Sequence, residues 1–181
     1  MPPKQVIVKR PTPPQQKGEW SSGLCDCCED PLLACSMCIC PCNATGQVYE
    51  RSTRTSGSCL WVAALLWALF FVTQILQSTS NSFSQAYAEE TTTDATPMIV
   101  LSSLAGSFAF FTTVAGTYFL CVARRTLRKK ENIQEGACGG CDDCCVSYWC
   151  GCCSLTQMFR QYNVTGQSYR TCTVSGEQMS V

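Results

Sequence analysis

The chain of 181 residues contains no histidine, and only 14% of its residues are charged. Histidine is the most common general base in enzymes and a common zinc ligand, so both roles would have to be filled by other residues. No serine or cysteine has an evident base partner in the sequence either. We therefore expect the protein not to be an enzyme.

Charge is absent altogether from two long stretches of the sequence, residues 59–76 and 98–123. As helices they would be about 27 Å and about 39 Å long. A bilayer core of about 30 Å is crossed by helices of this length, the second with some tilt. Buried helices of soluble proteins usually keep a polar face, which neither stretch has. The sequence therefore predicts two transmembrane helices.

Basic residues are absent from the segment between these two stretches. All 13 Lys and Arg lie before Cys59 or after Ala123, whereas residues 77–97 carry only acidic charges and no cysteine. Basic residues next to a membrane span mark its cytosolic side. The pattern predicts that both termini are cytosolic and that the connecting loop is extracellular or lumenal, with the plasma membrane as the expected location.

The predicted fold is an all-α membrane protein, in which a two-helix transmembrane hairpin is flanked by two small, metal-stabilised, Cys-rich cytosolic modules. Changes in composition along the chain give the predicted segments. They are a flexible Pro-rich tail (1–19), an N-terminal Cys-rich module (20–58), transmembrane helix 1 (59–76), an extracellular or lumenal loop (77–97), transmembrane helix 2 (98–123), a basic juxtamembrane segment (124–135), a C-terminal Cys-rich module (136–170) and a tail (171–181).

Most of the 17 cysteines fall in the two predicted cytosolic modules, where thiols are kept reduced. Short C-x-C and C-x-x-C spacings allow neighbouring thiolates to bind one soft ion such as zinc or cadmium. Each module could hold one tetrahedral site or a two-metal cluster, and S-acylation or thiol redox chemistry are alternatives. Asp26, Glu29, Asp30, Asp142 and Asp143 could complete a site. The predicted ligands are Cys25, Cys27, Cys28, Cys35, Cys38, Cys40, Cys42, Cys138, Cys141, Cys144, Cys145, Cys150, Cys152 and Cys153.

The two modules share a frame of residues, C-x4-C-x-C-x4-Q. Cys35, Cys40, Cys42 and Gln47 of the first module recur 110 residues later, as does Cys28. The sequence thus indicates diverged copies of one unit, although two Cys-dense segments can also match by chance. A second similarity, NATGQVY at 43–49 and NVTGQSY at 163–169, has a different offset and does not belong to the same ungapped duplication.

Three smaller sets of residues carry predictions about the membrane. A stripe of small side chains on the second span could line an oligomeric pore or pack one helix on another; it consists of Ser102, Gly106, Ala109, Thr113 and Thr117. A basic cluster is predicted to contact anionic lipids; it consists of Arg124, Arg125, Arg128, Lys129 and Lys130. Cys59 and Cys121, at the predicted membrane borders, are candidate S-acylation sites.

The stretch from Trp20 through Cys35 to C40-P-C42 resembles the placenta-specific-8 family of Cys-rich membrane proteins, which includes plant cadmium-resistance proteins and fruit-weight or cell-number regulators. The family motif is CCxxxxCPC or CLxxxxCPC, and neither neighbour of Cys35 supplies its additional residue. Tyr118 with Arg125 and Arg128 resembles the family's Y-x-n-R-x-x-L-R stretch. The segment W149-CGCCSLTQMFRQY resembles its FCxxCALCQExREL ending, with Gln157 and Arg160 in matching places but no Glu after Gln157.

This resemblance implies zinc or cadmium efflux, calcium influx or control of cell number. The leading hypothesis is an oligomeric efflux or permeation unit for zinc or cadmium with cytosolic thiolate sites, because two helices enclose no pore alone. The alternatives are a membrane-anchored regulatory scaffold with structural zinc and a calcium-permeable channel component. The predicted cofactor is zinc. The predicted partners are membrane lipids, further copies of the chain, divalent metal ions and cytosolic proteins, and no nucleic acid is expected.

Overall fold

The computed structural model describes residues 18–89, 96–134, 141–166 and 169, and the side chains of residues 86–89 are not described. The predicted terminal tails therefore lie outside the described residues, apart from residues 18 and 19. The described part of the chain is all-helical and contains no strand. This confirms the predicted all-α class.

The helices follow one another with short connections. A 3₁₀ helix, Leu24–Glu29, comes first. It is followed by α1 (Pro31–Ile39), α2 (Pro41–Thr53), α3 (Ser58–Glu89), α4 (Thr96–Glu131), α5 (Asp142–Trp149) and α6 (Gly151–Gln161).

Helices α3 and α4 are long and apolar enough to cross a membrane and pack against each other. Only 22% of the most apolar stretch of α3 and 6% of that of α4 is buried inside the protein. A helix of a soluble core would be mostly buried, so this exposure favours lipid as the surrounding medium. One polar contact between the two helices lies in the apolar region, where the hydroxyls of Thr73 and Thr112 are 3.1 Å apart.

Both long helices extend beyond the predicted spans. Residues 77–89, predicted as part of the connecting loop, continue α3, and residues 124–131 of the basic segment continue α4. Neither extension contains Pro or Gly, the residues that most disfavour a helix. Hydropathy marks the part of a helix that lipid can surround, and it does not mark the end of the helix.

The two Cys-rich segments fold into matching helical hairpins. Helices α1 and α2 meet at Cys40, and α5 and α6 meet at Cys150, which is 110 residues later in the sequence. Both junction residues have similar backbone angles, φ −128° and ψ 59° at Cys40 and φ −127° and ψ 42° at Cys150. Both also donate a backbone hydrogen bond to the carbonyl four residues earlier. The repeated cysteine frame therefore corresponds to a repeated structure.

The two hairpins lie at the same end of the α3–α4 pair. Helix α2 packs against the beginning of α3 and the end of α4, while α5 and α6 pack against the end of α4. Buried side chains from α1, α2, α4 and α6 and from residue 164 form one core between them. These are Leu33, Met37, Ala44, Val48, Leu120, Ala123, Leu127, Leu155, Met158, Phe159 and Val164.

Two glycines allow backbones to approach closely around this core. A Cβ atom on Gly46 in α2 would lie 2.7 Å from the carbonyl oxygen of Cys59 in α3. A Cβ atom on Gly166 would lie 2.7 Å from the backbone nitrogen of Leu33 in α1. The two TGQ sequences thus have different positions in the fold, since Gly46 lies inside α2 and Gly166 lies after α6.

Candidate functional site

A buried ionic cluster fixes the C-terminal hairpin to the end of α4. Arg124 Nε lies 3.1 Å and Arg128 Nη2 lies 2.6 Å from the same oxygen of Asp143, near the start of α5. Arg128 also pairs with Asp142 at 3.2 Å. Arg124, Arg128 and Asp143 are all buried, and charged groups are stable in such a place only when they are paired and hydrogen-bonded.

The same cluster holds the segment that precedes the first hairpin. Arg124 Nη1 donates hydrogen bonds to Ser154 at 3.2 Å and to the side-chain carbonyl of Gln157 at 2.7 Å. The Gln157 amide donates in turn to the carbonyl of Ser22 at 2.8 Å. The guanidinium of Arg124 also lies over the ring of Trp20, 4.3 Å from its centroid, a favourable cation–π geometry. One arginine thus connects both Cys-rich segments.

The prediction that Arg124 and Arg128 contact lipid headgroups is therefore wrong, because both side chains are buried against Asp143. The helix continues through the basic segment, so its charges point to different sides. Arg125, Lys129 and Lys130 are exposed, and for them lipid contact remains a prediction.

Thiols from the two Cys-rich segments meet beside this cluster. Cys153 Sγ in α6 donates a hydrogen bond to Cys27 Sγ in the 3₁₀ helix at 3.4 Å. The side chain of Cys38 in α1 lies near that of Cys152 in α6 and interacts with it electrostatically. We call these four cysteines the thiol junction. Arg160 of α6 supports it by binding the carbonyl of Asp26 at 2.9 Å and the carboxylate of Glu29.

Burial keeps the junction thiols of α6 protonated. It raises the pKa of Cys153 to about 12, with a further increase from the hydrogen bond and negative charge of Cys27. It also raises the pKa of Cys152 to about 11, and Cys38 adds to this increase. In the absence of a cation these thiols are neutral at pH 7, and a bound metal ion would have to displace their protons.

The donor set of the junction is suited to a soft metal ion. Two sulfurs of a tetrahedral zinc site, each about 2.3 Å from the metal, lie about 3.8 Å apart, and the Cys27 and Cys153 sulfurs are 3.4 Å apart. Across the described residues, no group of three or more Cys, Asp or Glu side chains is close enough to hold a metal ion. Cys27 and Cys153 could therefore supply two ligands of a soft ion, and a tetrahedral site would need two further donors.

Among the described residues, the predicted ligands of neither module come together as a metal site. Cys25, Cys28, Cys35, Cys141 and Cys145 are exposed, and so is Cys150 at the α5–α6 junction. Cys40, where α1 and α2 meet, and Cys42 in α2 are half-buried. Asp142 and Asp143, considered as additional ligands, pair with arginines instead. Cys138 lies outside the described residues.

One pair of cysteines departs from the expectation that all thiols are reduced. Cys121 in α4 and Cys144 in α5 are joined by a disulfide, with their Cα atoms 5.1 Å apart. Disulfides are rare in reducing compartments. Cys144 is therefore not a thiolate ligand while this bond is present, and its predicted role as a metal ligand would require the bond to be reduced.

The predicted S-acylation sites are also corrected by the structure. Cys121 is buried and bonded to Cys144, and Cys59 is buried under α2 beside Gly46. An acyltransferase could reach neither sulfur in the folded chain. Sequence position correctly placed both residues near the ends of the apolar stretches but could not show what covers them.

The small-residue stripe of α4 is not the surface that packs on α3. Ser102, Gly106 and Thr113 are exposed, and a Cβ atom on Gly106 would meet no other atom within 4 Å. Helix α3 is contacted by the neighbouring face, on which Ala105 is buried and Thr112 approaches Thr73. The stripe remains available for a second copy, while Ala109 and Thr117 are half-buried at its edge.

The fold and the site together define a class of protein. Over the residues that the structure describes it is all-helical, with two helices long and apolar enough to cross a membrane and two matching Cys-rich hairpins at one end of them. No solved structure matches this chain.

The chain belongs to the PLAC8 family, whose family model matches residues 20–161. It is 28% identical to Cell number regulator 4 of Zea mays over 86% of this chain and 73% of that protein. It is 27% identical to Protein PLANT CADMIUM RESISTANCE 1 of Arabidopsis thaliana over 84% of this chain and 73% of that protein. These names fit a metal-related or growth-regulatory role.

Sequence reasoning found the cysteines but missed how they are paired. It assigned the thiols of each module to separate sites, whereas the structure brings Cys27 and Cys38 to Cys153 and Cys152. It also missed the role of Trp20 and Gln157 in binding Arg124. A signal was present, because both residues lie in the stretches that carry the family resemblance.

Proposed function

We propose that this protein is a membrane-embedded heavy-metal-binding protein that takes up cadmium or zinc at the thiol junction. The observation that carries the proposal is the contact between Cys153 and Cys27, which joins soft ligands from both Cys-rich segments at one place. Relatives named for cadmium resistance support a metal as the ligand. In this proposal the metal is cargo or a structural ion, and the protein catalyses no reaction.

The proposed topology places the junction on the cytosolic side. Helices α3 and α4 cross the membrane, and both hairpins lie at the end that carries the basic residues. Passage of an ion across the membrane requires several copies, since two helices enclose no channel. The exposed stripe of Ser102, Gly106 and Thr113 is suited to close contact between copies.

Substitution of the junction tests metal binding. We expect the variant Cys27→Ser with Cys153→Ser to bind cadmium at least about tenfold more weakly than the unchanged protein, because a serine hydroxyl is a poor ligand for a soft ion. The measurement is competitive titration of the purified, reduced full-length protein, followed by cadmium–thiolate absorption in the ultraviolet.

The matched control is Cys35→Ser with Cys145→Ser, which removes one exposed thiol at equivalent positions of both hairpins. This control should bind cadmium like the unchanged protein. Equal weakening in both double variants would show that the metal binds within each module, and unchanged binding in the junction variant would reject the proposed site.

Passage through an oligomer is tested on the stripe. Leucine at both Thr113 and Thr117 adds bulk and removes two hydroxyls on one face of α4. If this face lines the path, cadmium and zinc flux should fall to the background of vesicles without protein, while metal binding at the junction is retained. The measurement is metal uptake into vesicles containing the full-length protein, and unchanged flux would reject the pore.

A regulatory scaffold is the second candidate function. It is favoured by the relatives named cell number regulators and by the absence, in the described ranges, of a preassembled site with three or more ligands. In this case a metal ion at the junction would only stabilise the hairpins, and the stripe variant would leave cellular metal content unchanged. A calcium-permeable channel component would instead show calcium flux in the vesicle assay.

A further inference from the structure

The C-terminal hairpin points toward the apolar part of α4. Contacts along α5 run antiparallel to α4, because Asp142 pairs with Arg128, Asp143 with Arg124, and Cys144 with Cys121. Beyond Cys144, α5 continues for five residues to Trp149, a rise of about 7.5 Å. Its end therefore lies beside the uncharged stretch that terminates at Ala123. A Cβ atom on the adjoining Gly151 would lie 3.7 Å from the side chain of Leu120, which is also part of this stretch.

The N-terminal hairpin has the same direction relative to α3. Along α2, the Glu50 carboxylate accepts from the backbone N–H of Cys59 at 2.7 Å, and Asn43 accepts from the indole of Trp67 at 2.8 Å. The residue numbers fall in α2 as they rise in α3, so Pro41 lies farther along the apolar helix than Asn43. The junction of α1 and α2 thus reaches beside the first uncharged stretch.

Each hairpin presents a large apolar side chain at its end. Ile39 is 75% exposed and Trp149 is 79% exposed, and the two residues are equivalent in the repeat, 110 positions apart. Large apolar side chains on the long helices are exposed as well, among them Trp61 and Tyr118. Because Ile39 and Trp149 are the last residues of α1 and α5, they project from the tips of the hairpins.

At each tip, the residue where the two helices meet has both of its backbone groups hydrogen-bonded. The N–H groups of Cys40 and Cys150 donate to Ser36 and Val146 at 3.1 and 2.9 Å. Their carbonyls accept from Ala44 and Ser154 at 3.2 and 2.8 Å. These bonds lower the cost of bringing the two residues to the membrane border, where little water is available to polar groups.

We propose that the two hairpin tips insert Ile39 and Trp149 into the phospholipid leaflet that surrounds the adjoining ends of α3 and α4. The inference rests on the proposal that these helices cross the membrane. The occupant is lipid because both tips lie beside the uncharged stretches of α3 and α4, which lipid surrounds when these helices cross the membrane. Aromatic and aliphatic residues in this position anchor a protein at the membrane border. The anchoring would also hold the thiol junction close to the membrane, because Cys38 directly precedes Ile39.

Photo-crosslinking of the full-length protein in phosphatidylcholine vesicles tests the inference. The photoreactive residue p-benzoylphenylalanine is incorporated in place of Ile39 or of Trp149, and mass spectrometry detects protein carrying the added mass of one phospholipid. The matched control position is Leu32, which is 57% exposed. It lies on the same face of α1 as Ile39, about two turns from the tip. We expect lipid adducts at positions 39 and 149 to exceed those at position 32 several-fold.

Two outcomes would overturn the inference in distinguishable ways. If the vesicles release the protein at alkaline pH in carbonate, α3 and α4 do not cross the membrane, and the proposed topology fails with the inference. If the protein is retained but positions 39 and 149 form no more lipid adduct than position 32, or form adducts with another copy instead, the topology stands and the tips do not enter the lipid.

Discussion

Replacing Asp143 by Asn is expected to lower the free energy of unfolding by about 3 kcal/mol, because two buried guanidinium groups lose their shared carboxylate. Arg124 and Arg128 lie 3.1 and 2.6 Å from one Asp143 oxygen. Both are buried, so water cannot replace the lost partner. The loss should lower the thermal midpoint by about 6 to 12 °C.

The measurement is thermal unfolding of the full-length protein in detergent, followed by tryptophan fluorescence, since Trp20 lies over Arg124. The matched control is Asp142→Asn, which makes the same chemical change at the neighbouring residue. The Asp142 side chain is 26% exposed and makes one 3.2 Å ion pair, so its loss should cost at most about 1 kcal/mol. Equal effects of the two substitutions would contradict the importance assigned to the buried cluster.

Replacing Gly46 by Val is expected to cost about 2 to 3 kcal/mol, because the added side chain overlaps a neighbouring backbone. A Cβ atom at this position would lie 2.7 Å from the carbonyl oxygen of Cys59 and 3.3 Å from Cβ of Ala63. The obstacle is the main chain of α3 and cannot rotate away. Helix α2 would have to separate from α3, and the hydrogen bond between Asn43 and Trp67 would be strained.

The matched control for this substitution is Gly116→Val in α4. A Cβ atom on Gly116 would meet nothing within 4 Å, and valine has a higher helix propensity than glycine. This variant should be as stable as the unchanged protein or slightly more stable. Thermal unfolding in detergent compares the two, and similar losses in both would mean that glycine is needed for a reason other than close packing of α2 on α3.

The repeated cysteine frame shows how far sequence reasoning extends. The offset of 110 residues predicted two related units, and the structure contains two hairpins that turn at equivalent cysteines. Each copy of the frame spans only a short segment of the chain, so the frame identifies units that form by contacts between nearby residues. Which thiols of the two units approach each other depends on the packing of α6 on α1 and on the 3₁₀ helix, and these contacts join residues more than a hundred positions apart.

The basic cluster shows a different limit. Arg124, Arg125 and Arg128 are alike in sequence, and all three were predicted to contact lipid. Because α4 continues through this segment, consecutive residues point in directions about 100° apart. Arg124 and Arg128 are buried and form ion pairs with Asp143, whereas Arg125 is exposed. Charge counting could not distinguish these arginines, because their burial depends on how α5 packs on α4.

The sequence by itself determined the two long apolar helices, the all-helical class and the relation between the two Cys-rich units, because hydropathy, periodicity and repeated spacing are properties of short segments. Only the tertiary structure decided the pairing of Cys27 with Cys153, the burial of Cys59, and the direction of Ile39 and Trp149. These features depend on which helices pack together and on the close approach that Gly46 permits. Residues that meet here lie far apart along the chain, so no short segment of the sequence shows that they will be in contact.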